Sequence, residues 1–287
     1  MGAIFMKTGL VLEGGGVRGI YTAGVLDVLM EHGIDVDGVI GVSAGAIHGC
    51  SYLSRQHGRS LRYYKNYCHD PRFMSFQSWL KTGDIVGAKF CYDTIPNELD
   101  LYDYEAFNQN PASFYVVCTN VETGKAEYFR LTDMKRDIDY MRASASLPYF
   151  SKLVELDGKK YLDGGCSDSI PLQSMEKIGY ERNIVVLTRD ESYEKKDEFT
   201  LLAKLVYRKF PKFVQALLNR SKVYSQQLQY IKKKELEGNA FIIRPSEPLE
   251  IGRLEKNPEE VQKIYDIGRK DALDKIDALK NWLSING

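Results

Sequence analysis

The chain has 287 residues, with 39 basic and 39 acidic side chains and a formal net charge of zero. That length suits one large α/β domain or two small ones, and 44% hydrophobic against 27% charged residues is enough to bury a core. The charge balance argues against a general nucleic-acid binder, which carries a basic excess.

Five cysteines, Cys50, Cys68, Cys91, Cys118 and Cys166, are scattered without a C-x-x-C pair. They read as reduced thiols of a cytoplasmic protein. The start, Met1-Gly2-Ala3-Ile4-Phe5-Met6, lacks the basic and apolar regions of a signal peptide, and Met6 stands where a myristoylation signal wants Ser or Thr. No apolar run approaches the ~18 residues of a membrane span.

In chain order, Gly9 to Leu12 reads as a short buried strand ending in glycines. Ile20, Ala23, Val25, Leu26, Leu29 and Met30 then recur at helical spacing, with Gly33 at the exit. "GVIGV" predicts a second buried strand and "AGAIHGCSYLSRQHG" a second helix. This β-α-β-α order begins a parallel α/β sheet. "SLRYYKNYC" looks helical, and Pro71 to Asn110 predicts short helices and loops. "SFYVVCTN" and "AEYFRL" form a hairpin across Glu122 to Lys125. "MKRDIDYMRASASLP" is a helix expected to end near Leu147, ahead of Pro148. "KLVELDGKKYLDGG" is a hairpin turning at Asp157-Gly158. "NIVVLTR" and "AFIIRP" are strands. Between them a helical stretch runs from about Phe199 to Leu236, kinked or broken at Pro211. A last helix covers roughly Pro258 to Leu283. The expectation is a mainly parallel central sheet flanked by helices, with residues 8–190 as catalytic core. Residues 191–287 would be a mainly helical extension completing the same domain.

Gly14-Gly15-Gly16-Val17-Arg18-Gly19 lies between a strand and a helix and fits G-x-G-x-x-G. Such a loop lets backbone amides approach an anion at a helix N-terminus. A dinucleotide site also needs an acidic residue at the C-terminal end of the second strand. Here Asp35 and Asp37 precede that strand, and its end carries Ser43. Gly41-Val42-Ser43-Ala44-Gly45 has the G-x-S-x-G spacing of a nucleophile elbow, a sharp strand-to-helix turn that exposes the hydroxyl. The plainer use of Ser43 is a helix N-cap.

A serine nucleophile wants a base, yet the only histidines are His32, His48, His57 and His69. The α/β-hydrolase order puts the histidine last, and none follows residue 69. His48 is five residues past Ser43 and should point away from it. His69 alone is free to fold back. A carboxylate can also serve, and Asp163, followed by Gly164 and Gly165, is the best placed, with turn formation its simpler role.

Taken in order, Gly14 to Gly19, Gly41 to Gly45 and Asp163-Gly164-Gly165 resemble the three motifs of the patatin-like phospholipases. "ASASLPYF" (residues 143–150) is similar to the same family. The likeness covers roughly Thr8 to Arg189 and looks most like the bacterial branch. It implies a three-layer α/β/α fold and a Ser-Asp dyad without histidine, with Ser43 as nucleophile and Asp163 as general base. It also implies an oxyanion hole made by backbone amides of Gly15, Gly16, Val17 and Arg18. Gly14, Gly19, Gly41, Gly45, Gly164 and Gly165 would shape the motifs. The third motif is D-G-G, where plant members have D-G-A. The implied activity is hydrolysis of lipid carboxylic esters. An acyltransferase or thioesterase with the same dyad is the alternative, and a nucleotide-binding regulator a more distant one. No metal or cofactor is implied, since no His, Cys or Asp cluster has ligand spacing.

Residues 204–234 carry nine basic and no acidic side chains, interleaved with Tyr207, Phe210, Phe213, Tyr224 and Tyr230. That composition suits an interfacial helix on anionic lipid, or a helix packed on the sheet with a solvated basic face. Lipid esters are the expected substrate, with peripheral membrane contact through this segment.

Overall fold

Strand β1 (Thr8–Leu12) leads through a 3₁₀ turn (Gly16–Gly19) into α1 (Ile20–Glu31). Strand β2 (Gly38–Val42) follows and turns directly into α2 (Ala44–Leu53). In this computed structural model residues 6–196, 200–252 and 254–284 are described. The N-terminal Met1–Phe5 stretch and the expected helix start at Phe199 lie outside them. After α2 come α3 (Arg59–Tyr67), α4 (Phe76–Thr82), a π-helical segment (Phe90–Leu99) and α5 (Tyr104–Gln109). The first is the helix expected at "SLRYYKNYC", and the others are the short helices expected between Pro71 and Asn110.

Strands β3 (Ser113–Asn120) and β4 (Ala126–Leu131) form the predicted hairpin, followed by α6 (Met134–Ser144). This helix stops three residues short of Leu147. Ser146 Oγ donates to the Arg142 carbonyl and the Ser146 carbonyl accepts from Asp163 N–H, so these residues serve the sheet edge instead. The second hairpin pairs β5 (Val154–Leu156) with β6 (Lys159–Asp163). It turns on Asp157 and Gly158, both at positive φ, as a two-residue primed turn requires. A 3₁₀ turn (Gly164–Cys166), α7 (Leu172–Lys177) and β7 (Arg182–Val186) come next.

The helical stretch after β7 is three helices: α8 (Thr200–Val206), α9 (Pro211–Leu218) and α10 (Arg220–Leu236). Pro211 opens α9, where a missing N–H costs nothing, and a second break falls at Asn219. Strand β8 (Ala240–Ile243) and α11 (Pro258–Ser284) complete the chain.

The sheet order is β5-β6-β3-β2-β1-β7-β8, with β4 also paired to β3. Strands β1, β2, β3, β7 and β8 run parallel, β4 and β6 run antiparallel to them, and β5 pairs antiparallel with β6. Alternation along β1 shows the three layers. Leu10 and Leu12 join Tyr21 and Val25 of α1, Ala46 of α2 and Ile264 of α11. Val11 faces the other way, with Leu172 and Met175 of α7 and Tyr224 and Ile231 of α10. The C-terminal segment is thus built into the sheet and both layers. At the crossing of α1 and α11 the backbones nearly touch: a Cβ on Gly24 would stand 2.2 Å from the Tyr265 carbonyl oxygen, and one on Gly268 2.1 Å from that of Tyr21.

Candidate active site

Two strands of different origin meet at one edge of β3. Its residues 113–117 pair with β2 and residues 118–120 with β6, while β4 runs along residues 114–119. Because β4 overlaps both, it occupies the opposite edge, and β2 and β6 lie end to end on the other. Val42 pairs with Val117, and Asp163 with the next residue, Cys118. The register therefore carries Ser43, one step past β2, to Asp163 at the end of β6.

Ser43 adopts φ 54° and ψ −122°, a region that costs a residue with a side chain ~1–3 kcal/mol. The flanking glycines make the turn sterically feasible. A Cβ on Gly41 would lie 2.5 Å from Ala46 Cα, and one on Gly45 2.5 Å from the Leu12 carbonyl oxygen. The strained residue is held at both ends: Ser43 N–H donates to Ser144 Oγ (2.9 Å) and its carbonyl accepts from Ile47 N–H (3.1 Å). Sequence reasoning did not single out Ser144, which is fully buried. Its only signal was membership of the "ASASLPYF" stretch.

Asp163 is 4% exposed. Its Oδ1 accepts from Gly165 N–H (2.7 Å), its own N–H donates to the Ser146 carbonyl (2.8 Å), and its carbonyl accepts from Thr119 Oγ1 (2.8 Å). The Ser43 hydroxyl neighbours the carboxylate and favours its ionised form. Burial pushes the Asp163 carboxyl above the usual carboxylate range. The Ser43 hydrogen bond, the Arg220 charge, the Gly165 N–H and the Lys195 charge pull against that rise without cancelling it.

The first glycine loop abuts the elbow. A Cβ on Gly14 would lie 3.2 Å from Ser43 Cβ, and one on Gly19 2.5 Å from Ala44 Cβ. Beneath the loop sits buried Glu13, accepting from Thr188 N–H (2.6 Å) and the Tyr224 hydroxyl (2.8 Å). Thr188 Oγ1 in turn donates to the Gly14 carbonyl (3.0 Å). The loop runs into the 3₁₀ turn, whose capping residue Ile20 donates its N–H toward the Val17 and Arg18 carbonyls. Gly15, Gly16 and Val17 keep first-turn amides that the helix does not use. Arg18 itself is half-buried.

Of the histidines, His48 lines the same pocket as Ser43 and the other three lie elsewhere. His48 Nδ1 pairs with Ser60 Oγ (3.0 Å), and burial brings its imidazole down to about 4, which leaves it neutral. His57 pairs with Glu31, His32 with Lys280, and His69 is exposed.

Ser43 stands at the mouth of a pocket of about 180 Å³. Its walls are mostly apolar, among them Ile20, Ile47, Phe73, Tyr92, Ile95 and Met141. Residues 60–110 supply much of this wall, including Tyr92, Ile95 and Pro96 of the π-helical segment. The basic segment 204–234 does not form one surface helix: Phe213 and Val214 of α9 and Tyr224 and Ile231 of α10 are buried. An exposed apolar strip sits at its start, on α8, where Leu201 and Leu205 are 81% and 70% exposed beside Val206. Exposed Lys204, Arg208 and Lys209 flank that strip. Among the described residues no helix is long and apolar enough to cross a membrane.

Comparison with known proteins places these features. An uncharacterized protein of Escherichia coli, YjjU, is 27% identical over 92% of this chain and 75% of its own length. An uncharacterized NTE family protein of Mycobacterium tuberculosis is 26% identical over 63% of the chain and 48% of its own length. The lysophospholipase nte1 of Emericella nidulans is 32% identical over 60% of the chain. The chain spans about half of the mycobacterial relative and 11% of the fungal one. The crystal structure of VipD from Legionella pneumophila matches with a TM-score of 0.47 at 11% identity, covering 95% of this chain and 67% of that one. Residues 210–284 match a domain of unknown function, DUF6363. Residues 10–175, more than half of the chain and including all three glycine motifs, match the model of the patatin-like phospholipases, and the chain belongs to that family.

Proposed function

We propose that the protein is a serine acyl-hydrolase of lipid carboxylic esters, of the phospholipase A or lysophospholipase type, working through Ser43 and Asp163. The observation that carries this reading is the strained Ser43 set beside a buried carboxylate at the mouth of an apolar pocket. The family and the lysophospholipase relatives support lipid esters as the substrate class.

Asp163 takes the Ser43 hydroxyl proton while Ser43 Oγ forms a bond to the ester carbonyl carbon. A carboxyl raised by burial is a stronger base than an ordinary aspartate once ionised. The resulting oxyanion is held by backbone amides of Gly15, Gly16 and the Val17-Arg18 segment, each well-placed donor contributing about 3–4 kcal/mol in comparable sites. The carbon–oxygen bond to the leaving alcohol breaks, and the alkoxide receives the proton from Asp163. Water then cleaves the acyl-Ser43 ester, with Asp163 again taking a proton. The acyl chain occupies the pocket lined by Ile20, Ile47 and Met141. The exposed strip of α8 with its lysines and arginines is the element of peripheral membrane contact.

The test is release of fatty acid from a lysophospholipid and from a short p-nitrophenyl ester by the wild type, Ser43→Ala and Asp163→Asn. Both variants are expected to fall to background. Wild-type turnover by either would remove this reading. Sedimentation with anionic against neutral vesicles tests the contact: preferential binding to anionic vesicles is expected, and equal negligible binding to both would remove it.

A further inference from the structure

The dyad aspartate is tied to a residue outside all three motifs. Gly165 offers its N–H to Asp163 Oδ1 at 2.7 Å, and its carbonyl accepts from Arg220 Nε at 2.6 Å and from Ser169 Oγ at 3.0 Å. One peptide neighbour thus links the carboxylate to the first residue of α10. The guanidinium also lies near the carboxylate. Asp163 Oδ1 and Arg220 Nη2 lie 3.0 and 3.4 Å from the point a Gly165 Cβ would occupy. Arg220 belongs to the 210–284 segment that matches DUF6363, 55 residues along the chain from Gly165.

We propose that Arg220 is a positioning residue of the active site, holding through the Gly165 carbonyl the residue whose N–H points at Asp163, while its charge faces the carboxylate. The inference rests on the Ser43–Asp163 reading and assigns the C-terminal segment a part in the chemistry.

The groups facing Asp163 come from several elements. Ser43 reaches it from the β2–α2 turn, Gly165 and Cys166 from the 3₁₀ turn, and Lys195 from the loop after β7. Cys118 of β3 and Tyr92 of the π-helical segment also feel it. Burial pushes the Cys166 thiol up to about 12 and raises Cys118 and Tyr92, so these three stay neutral in the working range. Burial and the Arg220 charge bring Lys195 down to about 7, so its charge fades near neutrality. A guanidinium stays charged throughout. Arg220 is therefore the permanent cation of the cluster. Without it, Asp163 would lose a pull toward its ionised form, and the pH at which it can accept a proton would rise.

The experiment compares Arg220→Gln and Arg220→Lys in the full chain. Active-site concentration is set by fluorophosphonate titration, so that misfolded protein is not counted as slow enzyme. For Arg220→Gln we expect kcat to fall about 10–100-fold with KM within about twofold. The acid limb of its kcat/KM profile should move up by about half a pH unit or more. Arg220→Lys, which keeps the charge without the fork, should keep the acid limb near its wild-type position while recovering only part of kcat. If Arg220→Gln does not fold, the Lys variant carries the test, with lowered kcat and an unmoved acid limb expected. Two results overturn the inference: kcat within twofold and an unmoved acid limb in both variants, or a raised KM at unchanged kcat, which would make Arg220 a substrate-binding group. If Ser43→Ala and Asp163→Asn are inactive while both Arg220 variants behave as wild type, this inference alone fails. If those two variants are active, the dyad reading fails instead.

Discussion

Replacing Ser144 with alanine removes one oxygen, and the structure says what that oxygen does. It accepts the Ser43 N–H at 2.9 Å in a fully buried site. Alanine leaves that donor without the partner it has at present. An unsatisfied buried polar group costs about 1–3 kcal/mol. At roughly 2–4 °C of melting temperature per kcal/mol in domains approaching this size, the expected fall is about 2–12 °C. The loss falls on the residue whose backbone is already strained, so geometry should suffer as well. A misplacement near 1 Å can cost about 100-fold in rate, and the second-order rate of fluorophosphonate labelling should drop by about 3–100-fold. The assays are a thermal melt and a labelling time course on wild type and Ser144→Ala. A melting temperature within 1 °C of wild type, together with a labelling rate within twofold, would refute the claim that Ser144 secures the elbow.

The two glycines after Asp163 should respond differently. A Cβ on Gly164 would lie 2.2 Å from the Val117 carbonyl oxygen, so Gly164→Ala must shift backbone and should lower the melting temperature by about 5–10 °C. Gly165→Ala meets Asp163 Oδ1 at 3.0 Å, and should melt within about 2 °C of wild type while losing up to about tenfold in kcat. Asp163→Asn separates activity from stability. Burial raises the folded-state carboxyl above its unfolded value, so its stabilising contribution is full below the unfolded pKa and lost as pH rises through the folded one. At pH 8 the variant should melt at or above the wild-type temperature while turnover falls about 10²–10⁴-fold, and a melt several degrees lower would contradict this. His69→Ala should keep kcat within about twofold, the side chain being exposed, and a large loss would return a histidine to the chemistry.

The parts of this molecule legible in sequence are those written in contiguous residues. The elbow glycines, the D-G hairpin turn and the apolar strands each report a local steric demand, and each appears where expected. The missing histidine pointed to Asp163, and the shared edge of β3 supplies the reason the two residues meet. What stayed hidden comes from residues far apart in the chain. Ser144 is 101 positions from Ser43, Thr188 is 175 from Glu13, and Tyr224 is 211 from Glu13. No spacing rule reports such pairs. Local misjudgements have a common source too. Pro148 gave a plausible end for α6, but the tertiary bond from Asp163 N–H to the Ser146 carbonyl ends it earlier. Composition alone cannot tell that Tyr224 and Ile231 of the basic segment are buried against the sheet while Leu201 and Leu205 of α8 are exposed.

The account turns on Ser43 being the nucleophile and Asp163 its base. Intact-mass and peptide-level analysis after fluorophosphonate treatment of wild type, Ser43→Ala and Asp163→Asn addresses that claim directly. We predict a single adduct on the peptide containing Ser43, none in Ser43→Ala, and labelling slowed by about 100-fold or more in Asp163→Asn. An adduct on another residue, or wild-type labelling of Asp163→Asn, would contradict it.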